Sequence, residues 1–180
     1  MDDIEIVDAH HHLWDLDGLY HPFLTDEPKE DFFLGDNSPI RVNYLPPDYR
    51  RDSARHNVIK TVHVEAECDR GSQVAESEWI TKINAEYGFP NAIVAHAWLD
   101  EENSEEILAA QAAIPLVRGI RSKPVTAATP DAKQPGAPRT MQHPKWLEGF
   151  ALLEKYDLSW DLRVPCWHLE EAAEVARSFP

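Results

Sequence analysis

The sequence predicts an α/β protein of the (β/α) TIM-barrel type, incomplete, with about five of eight βα units present. Two observations carry that prediction. Short β-rich apolar runs alternate with helical stretches along the whole chain, the pattern of parallel βαβ units. The two long connections, Trp14 to Tyr44 and Ser122 to His143, both follow strands. They therefore emerge at the strand carboxyl ends, where βα-loops build active sites. An open doubly wound sheet of five strands is the competing architecture. The length of 180 residues favours it, since closed barrels typically need about 250. The motifs of the first strand favour the barrel.

The strands are predicted over residues 4–9, 59–66, 92–99, 116–121 and 158–164. Ser72 to Tyr87 reads as a helix, with Ser72 available as N-cap and Gly88 just past its end. A second helix spans 104–113, opened by Ser104-Glu105-Glu106, whose charges suit a helix N-terminus. Pro144 precedes a third over 146–156, where Trp146, Phe150 and Leu153 recur at helical spacing. A fourth runs over 169–178, and residues 47–54 supply a turn or two before the second strand. The Ser122 to His143 connection holds four prolines and one glycine and reads as a lid or pocket wall. The whole is expected to be one domain, 1–180, ending after the fifth strand and its helix.

Composition narrows the function. The formal net charge is −15, and residues 1 to 36 carry eleven Asp or Glu against one Lys. A nucleic-acid partner would require clustered positive charge, and none is present. No apolar run reaches the roughly 18 to 20 residues of a membrane span, and the acidic start Met1-Asp2-Asp3-Ile4-Glu5 is unlike a secretory signal. Two cysteines, Cys68 and Cys166, without CxxC spacing, predict inert thiols in a reduced, cytoplasmic setting.

The chemistry concentrates in Ile6-Val7-Asp8-Ala9-His10-His11-His12-Leu13-Trp14. Alternate side chains of a strand share a face, so His10 and His12 project together with α-carbons roughly 7 Å apart. Two imidazoles so placed can converge on one zinc-like ion. Asp8 is expected on the same face, one step deeper, as the group that orients a histidine. His11 points the other way and receives no metal role. In Thr61-Val62-His63-Val64-Glu65-Ala66-Glu67, His63, Glu65 and Glu67 share one face, and Glu65 lies nearest the strand end. Arg121 ends the fourth strand, where a guanidinium can clamp a substrate carboxylate. Trp14 and Trp167 sit at strand ends as pocket walls. His96, within an apolar run, reads as a core histidine, and His168 as a residue flanking a helix start.

Asp8-Ala9-His10-His11-His12 resembles the opening signature of the amidohydrolase superfamily, in its amidohydrolase-2 branch of TIM-barrel hydrolases and sugar lactonases. Val64-Glu65-Ala66 looks like the second strand end of that branch, and Arg118-Gly119-Ile120-Arg121 like its fourth-strand motif. Trp146 to Leu153 followed by Leu158-Ser159-Trp160-Asp161-Leu162 is similar to its fourth helix and fifth strand. The resemblance covers nearly the whole chain and corresponds to the family's N-terminal part. It implies a divalent metal, zinc foremost, held by His10 and His12, although some lactonases of the branch work without one. It also implies a small-molecule substrate met by Arg121, Glu65 and Trp14. The expected reaction is hydrolysis of a lactone, ester or amide, with metal-assisted decarboxylation as the alternative within the family. The family's sixth-strand histidine and eighth-strand aspartate base have no counterpart in these residues, so the catalytic base is unassigned. A non-catalytic half-barrel that self-associates through exposed strand edges is the third reading.

Overall fold

The computed structural model describes residues 4–26 and 35–180. Met1-Asp2-Asp3 of the acidic start and residues 27–34 of the first long connection lie outside the described residues. The chain divides into two compact units, Met1–Ala95 and His96–Pro180.

The first unit is a three-stranded parallel sheet with its helices. Strand β1 (Ile6–His11) pairs with β2 (Val58–Val64), which pairs with β3 (Ala92–Ala95). Helix α1 (Pro22–Thr25) and helix α2 (Pro46–Asp52) lie in the connection from β1 to β2, and α3 (Gln73–Tyr87) joins β2 to β3. Helix α3 stops where predicted, because Gly88 takes φ +80° and returns its N–H to the Asn84 carbonyl at 2.8 Å. Its buried residues Ile80 and Ile83, with Val64, Ile93 and Leu13, form the apolar core of the unit. The first long connection is drawn back to the strand end at Trp14. Trp14 and Tyr44 exchange two backbone hydrogen bonds, and the Trp14 indole donates to the Val42 carbonyl.

Strand β1 differs from the predicted 4–9: it begins two residues later and continues through His11. Its pairing with β2 slips twice, between Ile6 and Val7 and again between Asp8 and His11. At the second slip three steps of β1 match two of β2, from Thr61 to His63, so β1 carries an extra residue there. Such a bulge breaks the alternation of faces.

The second unit holds α4 (Ser104–Ala112), β4 (Val117–Ile120), α5 (Pro144–Lys155), β5 (Ser159–Trp160) and α6 (Leu169–Ser178), with β4 and β5 parallel. Trp146 is 1% exposed and stacks on Phe150 at 5.2 Å, while Trp160 and Phe179 meet Phe150 edge-on at 4.9 and 5.1 Å. Burying a side chain of this size is worth about 2–3 kcal/mol, which explains why helical spacing of Trp146, Phe150 and Leu153 was so readable. Strand β5 is two residues long rather than seven. Asp161 still donates its backbone N–H to Ile120, but no ladder continues toward Pro165. Strand β3 likewise stops at Ala95 instead of Leu99.

The Ser122 to His143 connection is pinned rather than loose. Ala127 donates its N–H to His168 Nε2 at 2.9 Å, the Trp167 indole donates to the Ala127 carbonyl, and Lys133 bonds the Trp167 carbonyl and Glu171. Ala127, Lys133, His168 and Glu171 line a cavity of about 120 Å³ at the start of α6. No helix among the described residues is long and apolar enough to cross a membrane.

Candidate metal centre

His10 and His12 stand at the carboxyl end of β1 and just beyond it, and their rings converge. Their Nε2 atoms are 3.2 Å apart, with ring centroids at 5.0 Å and planes at 81°. His12 has a fixed tautomer: its Nδ1–H donates to the Val64 carbonyl at the end of β2, at 2.7 Å. A neutral imidazole that donates at Nδ1 has a lone pair at Nε2, the state a metal ligand needs. His10 is exposed and His12 half-buried, so the pair is open to solvent.

The spacing suits an ion. Two zinc–nitrogen bonds of about 2.0–2.1 Å at a tetrahedral angle place their nitrogens about 3.3–3.4 Å apart. The residues present therefore fit two positions of a tetrahedral site. Among the described residues, no group of three or more His, Cys, Asp or Glu is placed to share one ion.

Asp8 departs from expectation. Because of the bulge it does not share the face of the histidine pair; it turns with His11 toward α2. One carboxylate oxygen accepts the Tyr49 hydroxyl at 2.7 Å and the other the backbone N–H of His10 at 3.1 Å. It braces the strand through the backbone and orients no ring. Partial burial pushes the Asp8 carboxyl up, but the bonds from Tyr49 and His10 outweigh it and hold the group below its ordinary range. Burial, then the Asp8 carboxylate, pushes the Tyr49 phenol up.

His11 faces away from the pair, as the alternation implied. It is buried against Tyr49 at 4.6 Å, and its Nε2 is 2.9 Å from the Thr61 hydroxyl. Burial, then the neighbouring His63, pushes its pKa down to about 4.

The remaining candidates are distributed between the two units. Glu65 is 1% exposed and accepts the backbone N–H of Glu67, which turns left-handed at φ 52°. Trp14 is half-buried, with its indole committed to the returning connection. Arg121 follows β4 in the second unit and is buried, and its carbonyl accepts the Nδ1–H of His96. His96 is thus the core histidine its apolar run implied. Cys68 is half-buried, its thiol pushed up by burial and then by Glu76, whereas Cys166 is exposed. Sequence reasoning placed His63 on the face of Glu65 without giving it a role and passed over Glu76; both are buried, with His63 against the backbone of Leu13. Burial of two polar side chains leaves no periodic signal.

Parallel strands, intervening helices and an imidazole pair at the carboxyl end of β1 define the class: about half of a (β/α)-barrel of the kind that carries its chemistry at the strand carboxyl ends. Solved structures share this fold. Amidohydrolase 2 from Bifidobacterium longum subsp. infantis aligns over 97% of this chain and 57% of its own, with TM-score 0.58 and 16% identity. An amidohydrolase from Burkholderia multivorans with bound Zn aligns over 95% of this chain and 53% of its own, with TM-score 0.62 and 19% identity. The same enzyme with bound HEPES gives 0.64 and 16%, over 96% and 53%. The fold of this chain is thus that of about half an amidohydrolase-2-type barrel. Among curated proteins, the uncharacterized protein y4mH of Sinorhizobium fredii is 35% identical over 100% of this chain and 60% of its own length. No protein-family model matches. The chain spans between half and three-fifths of the length of the proteins it matches.

Proposed function

We propose that this chain is the N-terminal part of a metal-dependent hydrolase of the amidohydrolase-2 branch, in which His10 and His12 hold a divalent ion, zinc foremost. The observation that carries the reading is the pair of Nε2 atoms 3.2 Å apart, one of them fixed as a lone pair by the Val64 carbonyl. The bound zinc of one Burkholderia multivorans neighbour supports the choice of metal. When bound, such an ion lowers the pKa of water to about 7 and polarises a carbonyl. The chain's own part is to present the two nitrogens without rearrangement; Arg121 is proposed, from the family resemblance alone, to bind a substrate carboxylate. Glu65 and Trp14 complete the proposed substrate contacts. The general base and the remaining ligands belong to residues beyond this sequence, as the family resemblance implies. The substrate proposed is a small carboxylated or sugar-derived lactone.

The test has two stages. Zinc or cobalt is titrated into the chain and into its His10→Ala and His12→Ala variants; the unchanged chain binds, and either substitution weakens binding at least tenfold. Equal binding by all three would remove the site. A polypeptide of the relatives' full length carrying this sequence is then assayed on lactones, with and without a chelator. Ring opening abolished by chelation is expected, and gas release without ring opening would move the assignment to a decarboxylase.

A further inference from the structure

Against the backbone that follows His12 lies a buried polar network that the proposed reaction does not use. His63, on β2, is 0% exposed, and Glu76, on α3, is 3% exposed. The His63 Nε2–H donates to Glu76 Oε1 at 3.2 Å. The same oxygen accepts the backbone N–H of Ala66 at 2.7 Å, and the Cys68 thiol also bonds this carboxylate. On the opposite side of its ring, His63 Nδ1 accepts the backbone N–H of Leu13 at 3.3 Å.

Two of those backbone groups belong to the metal site's own scaffold. Leu13 follows His12, and Ala66 lies two residues past Val64, whose carbonyl accepts from His12. A carboxylate only accepts, so Glu76 makes His63 Nε2 a donor and leaves Nδ1 as the acceptor that Leu13 requires. Burying a carboxylate is costly, and an apolar side chain would fill the same space without that cost. Burial is the largest single influence and pushes the Glu76 carboxyl up, but His63 and the Ala66 N–H together outweigh it and hold the group below its ordinary range.

We infer that His63 and Glu76 are positioning residues for the metal centre: together they fix the backbone on either side of the His12–Val64 bond, and so set the tautomer and direction of the His12 ring. The inference rests on the proposed role of His12 as a ligand. It states that the pair acts on His12 through Leu13 and Ala66, touching neither metal nor substrate.

Nitrogen NMR of the imidazoles in the unchanged, metal-free chain reads the network directly. His63 is expected protonated at Nε2 and His12 at Nδ1; a His63 protonated at Nδ1 overturns the inference without any variant. His63→Phe fills the space but loses both bonds. At a temperature where it remains folded, it is expected to mix the His12 tautomers and weaken zinc binding about tenfold, as loss of a ligand's supporting bonds does. Glu76→Gln, which keeps an oxygen acceptor in place, is expected to stay within about threefold of the unchanged chain. A folded His63→Phe variant with unaltered His12 signals and zinc affinity overturns the proposal. Failure of the unchanged chain to bind zinc would instead overturn the metal reading, while the tautomers still decide whether the network sets His12.

Discussion

Burial keeps His11 neutral: the ring lies under Tyr49 and beside His63, and its pKa is pushed down to about 4 from an ordinary 6.5. The unfolded chain binds that proton first as pH falls, so the stability from a neutral His11 is complete above pH 6.5. It is then lost progressively down to about pH 4. The span corresponds to on the order of 3 kcal/mol. Glu76 adds to the loss at lower pH, since its carboxyl is held below the ordinary value and protonation favours the unfolded chain. Urea unfolding at pH 7.5 and 4.5 should therefore show a large drop, and His11→Gln should flatten most of the change between pH 6.5 and 4.5. Equal slopes in the two proteins would assign the acid sensitivity elsewhere. At this scale the sequence was legible where a residue type and a two-residue period sufficed: the His10–His12 convergence and the opposite orientation of His11 both followed from strand geometry. Asp8 was misread because the period holds only while the ladder is unbroken, and the bulge that turns it to Tyr49 has no mark in the residues themselves.

Element boundaries follow packing as much as pattern, and α5 shows how tight that packing is. A Cβ placed on Gly149 would collide with the Leu99 carbonyl oxygen, and it would stand 2.7 Å from the carbonyl carbon and 3.0 Å from Cα of the same residue. The obstacle is backbone on one side and a helix on the other, so neither can yield as a flexible side chain would. Gly149→Ala should therefore destabilise the second unit by about 2 kcal/mol or more, despite the better helix propensity of alanine. Thermal unfolding followed by tryptophan fluorescence reads this directly, because Trp146 lies on the same helix. A melting midpoint unchanged or raised would show that α5 stands off Leu99. The longer helices were legible to within about two residues, since Trp146, Phe150 and Leu153 mark a face, Pro144 a start and Gly88 a stop, whereas the single turn of α1 was not foreseen. The strands were less so: past β3 the residues 96–99 stay largely buried without ladder hydrogen bonds, and past β5 the alternation Asp161-Leu162-Arg163-Val164 looks like a strand although Leu162 is 41% exposed. Residue type and alternation do not record which residues pair.

For the molecule as a whole, the edge of β1 is where pairing with a second copy is proposed. Among the described residues β2 is its only strand partner, while Ile4 and Val7 are 75% and 54% exposed and Ile59 on β2 is 45% exposed. An unpaired strand edge with apolar side chains invites pairing with another strand. A formal charge of −15 opposes it, because two copies repel until salt shortens the reach of that repulsion to about 10 Å at 0.1 M. The two effects act at different ranges, so salt separates them. We predict that a second copy of the chain pairs at this edge, with apparent mass rising with protein concentration and rising further between 20 and about 300 mM salt. Val7→Lys places a charge on the strand itself, the device by which natural edges avoid pairing. It should return the chain to a single species near 20.5 kDa at concentrations where the parent associates. Light scattering coupled to size exclusion measures both. A parent chain that stays at one mass across concentration and salt would mean that the charge, or a cover over β1, already protects the edge.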